Sequence, residues 1–154
     1  MWLEGVAPDD SAAWLGGLVR SKDSDRDWRA RIADSALSAL ALHTGDAAVR
    51  LLIALARDDA RSDVRRRALM GLAQRAGQQP TATIVSAIDR DPELEVKKTA
   101  VRALGQLPKD QGVPMLIQVA RTNRTPEVRR EAMLRLGQSN DPRAVRFFEE
   151  ILTK

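Results

Sequence analysis

The hydrophobic positions of this chain follow a helical spacing, and the same spacing recurs every 32 residues. Three segments begin at Val64, Val96 and Val128, and in each an alanine follows four residues later and a leucine eight residues later. A degenerate copy begins at Ile32. Apolar residues three and four apart indicate one face of an α-helix, and a fixed period of this length is typical of a helical repeat array.

A second set of hydrophobic columns precedes these segments in the same register. One column is Leu52, Ile84, Leu116 and Phe148, and another is Leu55, Ala87, Val119 and Ile151. Each unit is therefore predicted to hold a first helix (A), a turn, a second helix (B) and a linker. Helices are expected near residues 10–20, 26–41, 46–57, 61–74, 79–89, 93–105, 110–121, 125–137 and 142–152. In the first unit, Leu15 and Leu18 fit only if the turn around Ser21–Asp27 is about three residues longer.

Several helix ends carry sequence signals of their own. Asp141-Pro142 and Thr125-Pro126 each place a capping side chain before a first-turn proline. Gly105 and Gly137 follow the last leucine of their B helices and predict helix ends there.

Together these patterns predict an all-α solenoid of about four and a half helix pairs, forming one domain over residues 1–154. Its units are expected at about 9–42, 46–73, 79–105 and 110–137, with a capping helix at 142–152. The column Ile53, Val85, Ile117 becomes Glu149 in the last A helix. A polar residue there predicts the end of the array, with Lys154 near the C-terminus.

One cation per unit falls within the apolar arc of its B helix, where it would be costly unless paired. The cations are Arg65, Lys97 and Arg129, and six residues before them the A–B turns hold Asp59, Asp91 and Asn123, with Asp27 completing the column. We expect the turn carboxylates to face these cations within and between units. This arrangement is called the turn ladder below.

This unit resembles the HEAT repeat. It has an Asp in the A–B turn, five residues before a Val-Arg pair. That pair opens an Ala- and Leu-rich B helix that ends in Leu-Gly. The 32-residue unit is similar to the short bacterial HEAT-like group first noted in phycobilin lyases. The resemblance covers residues 26–154, and residues 9–25 in weaker form. It implies a right-handed α-α superhelix with B helices lining the inner, concave surface. It implies no single activity, because members of the family are mostly scaffolds and binding modules.

Two departures from the family pattern predict gaps in the turn ladder. Asn123 stands where the family has Asp, and Ala33 stands where it has a basic residue.

The composition removes most catalytic chemistry. The chain has no Cys and one His, His43, so neither a thiol nucleophile nor a His-based metal site can be assembled. The paired carboxylates Asp9-Asp10, Asp58-Asp59 and Glu149-Glu150 fall at helix ends or on solvated faces, whereas acid–base catalysis needs a perturbed carboxyl. We predict a protein that is not an enzyme and uses no cofactor, metal or small-molecule substrate.

The sequence also bears on the cellular location of the protein and on the role of its tryptophans. No apolar run approaches the roughly 20 residues that span a bilayer, and no secretion signal opens the chain. A soluble, cytoplasmic protein is expected, with a removed secretion signal as the alternative. Trp2, Trp14 and Trp28 are expected to cover the exposed end of the first unit, with ligand stacking as the alternative.

The B-helix face, meaning the side of the B helices opposite their apolar arc, carries the candidate binding residues. Its columns include Arg66, Lys98 and Arg130, then Met70, Arg102 and Leu134. A row of cations at the pitch of packed helices could bind an acidic segment or a phosphate backbone. Asp63, Glu95 and Glu127 precede the basic column by one turn and would partly neutralise it.

Three interpretations of this face stay open at the level of sequence. It could be a plain solvated surface, a site for an acidic or mixed protein partner, or a nucleic-acid site similar in design to the HEAT-like DNA alkylation glycosylases. Residues 61–154 carry 18 Lys and Arg against 11 Asp and Glu, which favours anionic partners. The apolar Met70 and Leu134 beside Arg102 favour a protein over nucleic acid, and no aromatic residue is interleaved for base stacking. A phycobilin-lyase-like chaperone is a further alternative, which only the family resemblance suggests.

Overall fold

A computed structural model describes residues 8–20, 26–43, 45–75 and 78–153 of the chain. Within these ranges the secondary structure is nine α-helices and no strand. The helices are α1 (Pro8–Arg20), α2 (Arg26–Leu42), α3 (Asp46–Asp58), α4 (Ser62–Ala73), α5 (Gln78–Arg90), α6 (Leu94–Leu104), α7 (Lys109–Thr122), α8 (Pro126–Gln138) and α9 (Pro142–Leu152).

These helices form two rows that follow the predicted alternation. Each of the first four A helices (α1, α3, α5 and α7) packs against the next helix as an antiparallel hairpin, and the B helices α2, α4, α6 and α8 pack on one another in succession. Three residues join A to B in the later hairpins, whereas residues 21–25 separate α1 from α2. This architecture confirms the predicted all-α solenoid.

The repeating hydrophobic columns form the continuous core between the two rows. Val64, Val96 and Val128 are all buried, as are the alanines four residues after them and the leucines eight residues after them. Because each column is buried in successive units, the 32-residue period corresponds to side chains that occupy the same place in the stack.

The helix-end predictions have mixed outcomes. Asp141 caps α9 as predicted, since its side chain accepts a hydrogen bond from the Arg143 N–H, and Pro142 follows in the first turn. Thr125 is the N-cap residue of α8, but its side chain makes no capping hydrogen bond; the Asn123 Oδ1 accepts from the Thr125 N–H instead. Gly105 ends α6 as predicted. The prediction for Gly137 is wrong, because α8 continues to Gln138 and the chain turns at Asn140, which has a positive φ of 50°.

At the N-terminal end, Trp2 and the side chain of Trp28 lie outside the described residues. Trp14 is 65% exposed on α1. The exposure of Trp14 does not support the prediction that it covers the end of the first unit.

Candidate functional site

The turn ladder contains one complete ion pair among the described residues that were expected to form it. Arg65 is buried and binds Asp91 of the next unit through two hydrogen bonds, Nε to Oδ2 at 2.8 Å and NH2 to Oδ1 at 3.0 Å. The Arg65 NH1 also donates to the carbonyls of Asp59 and Ala60 in its own turn. Arg65 therefore connects two consecutive A–B turns.

The other cations of the ladder bind backbone rather than carboxylates. Lys97 Nζ donates to the Asp89 carbonyl at 3.2 Å, and Arg129 NH1 donates to the Asn123 carbonyl at 2.8 Å. Both side chains are half-buried, unlike Arg65. Lys97 precedes Asn123 by 26 residues, just as Arg65 precedes Asp91. The neutral amide of Asn123, however, offers Lys97 no opposite charge. The side chain of Asp27 lies outside the described residues.

Asp59 belongs to a different arrangement, which the sequence analysis missed. Its carboxylate accepts from the backbone N–H, Nε and NH2 of Arg61, and the Arg61 NH2 also donates to the carbonyl of Val19 in α1. Burial opposes ionisation, but the hydrogen bonds from the Arg61 side chain and backbone prevail and lower the pKa of Asp59. The repeated Asp-x-Arg spacing was the available signal.

The same Asp-x-Arg arrangement, called a clip below, recurs at the start of the last helix. The Asp141 carboxylate accepts from the backbone N–H, Nε and NH2 of Arg143, whose NH2 also donates to the Lys109 carbonyl of α7. The side-chain and backbone hydrogen bonds from Arg143 lower the pKa of Asp141 to about 2. The clip at Arg61 thus joins an A–B turn to the A helix of the preceding unit. The clip at Arg143 joins the last A helix to the A helix of the preceding unit.

On the B-helix face, Arg66 and Met70 lie together in a concavity of about 410 Å³. Its walls come from α2, α4 and α6: Leu37, Ser38, Ala41, Asp63, Arg66, Arg67, Met70, Gly71, Gln74 and Thr99. Met70 packs partly against the core, so it is less exposed than the helical wheel predicts. The Arg66 Nε is buried and has no hydrogen-bond partner within the described part of the chain. A buried N–H without a partner is uncommon in native structures, so the hydrogen bonding of Arg66 is incomplete within the described residues.

A second concavity, of about 560 Å³, holds Lys98, Arg130 and Leu134. Glu127, Glu131 and Met133 complete its lining, which lies between α6 and α8. Leu134 is 51% exposed. Five of the six candidate binding residues are therefore gathered into two neighbouring concavities of one face.

Two of the four candidate cations, Lys98 and Arg102, are paired with carboxylates of the chain. Lys98 Nζ lies 2.8 Å from Glu95 Oε1, and this hydrogen bond lowers the pKa of Glu95. Arg102 is bound by Glu131, a carboxylate buried in α8, with Nε 3.0 Å from Oε1. The Arg135 Nε lies 3.2 Å from the same Glu131 oxygen. The sequence analysis expected Glu95 and Glu127 to neutralise the face and missed Glu131, which is 29 residues from Arg102 along the chain.

Arg66 and Arg130 differ from these cations, because neither has an ion pair with a described residue. They lie on α4 and α8, two helices apart, which corresponds to about 20 Å at the usual separation of packed helices. Each has an apolar neighbour on its own helix, Met70 and Leu134 respectively.

The outer row contains a groove of about 730 Å³ between α5 and α7. Val85 and Met115 supply apolar walls, and Asp89, Arg90 and Gln111 supply polar ones. The groove could not be predicted from helical spacing, because it arises where α5 and α7 pack less closely than the other neighbouring A helices.

Metal sites and membrane-spanning helices were also sought among the residues that the structure describes. These residues contain no group of three or more His, Cys, Asp or Glu side chains placed to hold a metal ion. Among their helices, none is both long and apolar enough to cross a membrane.

Comparison with known proteins agrees with the architecture. Residues 81–154 match the HEAT-repeat family. The chain matches no curated protein sequence. HEAT repeats generally mediate protein–protein interactions and are typically scaffolds rather than enzymes. The family match extends from α5 to α9, and the helix pairs before them stack in the same way, so the described part of the chain has the architecture of a HEAT-like repeat protein.

Proposed function

We propose that this protein is a non-enzymatic interaction module that binds an acidic or mixed segment of a partner protein on its concave B-helix face. Arg66 and Arg130 are the charged contacts, and Met70 and Leu134 are the apolar ones. The observation that carries the proposal is the pair of neighbouring concavities, each with a cation free of ion pairs to described residues beside an apolar side chain. Lys98 and Arg102 have a secondary part, because carboxylates of the chain already bind them.

A protein ligand fits this surface better than a nucleic acid does. A phosphate backbone needs a row of available cations, whereas Glu95, Glu127 and Glu131 interrupt the row here. Partly exposed Met and Leu side chains offer adaptable apolar contact, which a partner helix or extended peptide can use. Two carboxylates of the partner, separated by about 20 Å and with apolar residues between them, would match the spacing of Arg66 and Arg130.

The test is a nuclease-treated pull-down from the source lysate with three forms of the chain. They are the wild type, Arg66→Glu/Arg130→Glu, and the control Arg50→Glu/Arg124→Glu, whose two exposed arginines lie away from the B-helix face. Both variants change the net charge equally, so a general charge effect would alter both. Circular dichroism first establishes that all three are folded.

We expect a protein that binds the wild type and the control but binds the B-helix variant about tenfold more weakly, since each reversed contact costs affinity. Met70→Ser/Leu134→Ser should weaken the same interaction with all charges intact. Capture that is equal in all forms, or capture that nuclease treatment abolishes, would contradict the proposal.

A further inference from the structure

The central unit of the B-helix face holds a carboxylate that is bound to one of the candidate cations. Glu95 Oε1 lies 2.8 Å from Lys98 Nζ, one helical turn further along α6. The side chain of Glu95 is 57% exposed, and that of Lys98 is 26% exposed. Because Lys98 lies on α6, between Arg66 on α4 and Arg130 on α8, Glu95 interrupts the row of cations at its middle.

Three of the four candidate cations attract the Glu95 carboxylate. The hydrogen bond from Lys98 lowers the pKa of Glu95 despite partial desolvation, and the charges of Arg102 and Arg66 act in the same direction. A carboxylate of a bound partner would meet the same cations at this place. Glu95 therefore has the surroundings that the proposed function requires for a partner carboxylate.

The two carboxylates that bind candidate cations on this face differ in how readily a ligand can replace them. The side chain of Glu131, which binds Arg102, is 8% exposed. Separating that pair would leave a buried charge without its partner, which is costly. An exposed pair such as Glu95 and Lys98 contributes little, because both groups regain their hydration when they separate. Glu95 can therefore leave its cation at small cost, whereas burial fixes Glu131 in place.

We propose that Glu95 is an internal competitor of the acidic partner, and that binding replaces Glu95 on Lys98 with a carboxylate of that partner. This inference rests on the proposed function, and it adds a third partner carboxylate between those that bind Arg66 and Arg130. At the usual separation of packed helices, successive carboxylates would lie about 10 Å apart. Because one ion pair is exchanged for another, Glu95 limits how tightly the face binds an acidic segment.

Fluorescence anisotropy with labelled poly-L-glutamate of about 20 residues tests the exchange, since this probe is longer than the row of cations when extended. Circular dichroism first establishes that each variant is folded. Glu95→Gln should bind the probe about fivefold more tightly than the wild type, because it releases Lys98 and removes a charge that repels the probe.

The matched control is Glu150→Gln on the outer row of A helices. The side chain of Glu150 is 58% exposed and pairs with Arg121, so its replacement removes the same charge and also releases a cation. This variant should bind the probe within about twofold of the wild type, since it leaves the B-helix face unchanged.

A double variant identifies Lys98 as the cation that the exchange releases. Glu95→Gln/Lys98→Gln has the net charge of the wild type and presents no cation at the centre of the row. It should lose the gain of Glu95→Gln and bind the probe as the wild type does. A gain that persists in the double variant would overturn the proposal.

The proposal is equally overturned if Glu95→Gln binds the probe no more tightly than Glu150→Gln does. Arg66→Glu/Arg130→Glu in the same assay separates this failure from failure of the proposed function. If that variant weakens binding while Glu95→Gln has no effect, the exchange alone fails. If neither variant alters binding, the exchange and the proposed function both fail.

Discussion

At the scale of single residues, cations in equivalent positions of the repeat have different environments. Arg65 is buried against Asp91, whereas Lys97 and Arg129 are half-buried on backbone carbonyls. The difference arises from the residue 26 positions further along: Asp91 supplies a carboxylate to Arg65, and Asn123 supplies only an amide to Lys97. A buried cation depends on its carboxylate, because burial has removed most of its hydration.

Asp91→Asn should therefore lower the free energy of unfolding by about 3 kcal/mol, since it leaves the Arg65 guanidinium buried without its counter-charge. Urea unfolding followed by circular dichroism measures this loss. Asp89→Asn, two residues away and exposed, is the matched control and should change stability by less than about 0.5 kcal/mol. Equal losses in both variants would show that the Arg65–Asp91 pair contributes nothing specific.

At the scale of elements, glycines in neighbouring helices serve different purposes. Gly112 lies in the first turns of α7, where a Cβ atom would stand 2.4 Å from the backbone carbonyl oxygen of Leu104 at the end of α6. Gly137 lies inside α8, and a Cβ atom there would meet nothing within 4 Å. Of these two glycines, Gly112 is thus the one required by the packing of one helix against another.

Gly112→Ala should lower the free energy of unfolding by about 2 kcal/mol, because backbone must move to admit the methyl group. Gly137→Ala is the control and should raise it by up to about 0.5 kcal/mol, since alanine loses less backbone entropy than glycine in the exposed last turn of a helix. Thermal unfolding of the two variants beside the wild type measures both signs. Stabilisation by Gly112→Ala would mean that α6 and α7 are not in close contact at this point.

At the scale of the whole molecule, the Asp-x-Arg clips connect units near both ends of the array. Arg61 reaches back to α1, and Arg143 reaches back to α7. Both depend on an ionised aspartate, and the pKa of Asp141, at about 2, lies below its ordinary value of 3.8. The carboxylate consequently favours folding fully above its ordinary pKa, and this contribution disappears as the pH falls from about 4 towards 2.

Asp141→Asn should be less stable than the wild type at pH 7, and the difference should shrink towards zero near pH 2. Asparagine keeps the ability to cap α9, so the comparison isolates the charge that Arg143 binds. Urea unfolding midpoints at pH 7, 4 and 2.5 measure the effect, with the exposed carboxylate variant Asp58→Asn as the control. A difference that is constant across this range would contradict the assignment of the low pKa to Asp141.

The all-α solenoid, the positions of its helices and the columns that form its core could all be predicted from the hydrophobic pattern of the chain. Those features follow from apolar residues spaced at the helical period, because a helix must bury such a face and identical units bury it in the same way. It also placed Arg66, Met70, Arg130 and Leu134 on one helix face, where the structure groups them into two concavities.

Which of those charges stay available, and which apolar side chains stay exposed, depends on how the helices stack in three dimensions. Glu131 binds Arg102 across 29 residues of sequence, and Asp91 binds Arg65 across 26, at distances set by the offset between stacked helices. Helical spacing along one helix does not contain that offset, so the sequence analysis named Glu95 and Glu127 and missed Glu131. Val145 and Leu152 occupy the columns of Val113 and Ala120, which are buried, yet they are 56% and 83% exposed, because no described helix packs over them.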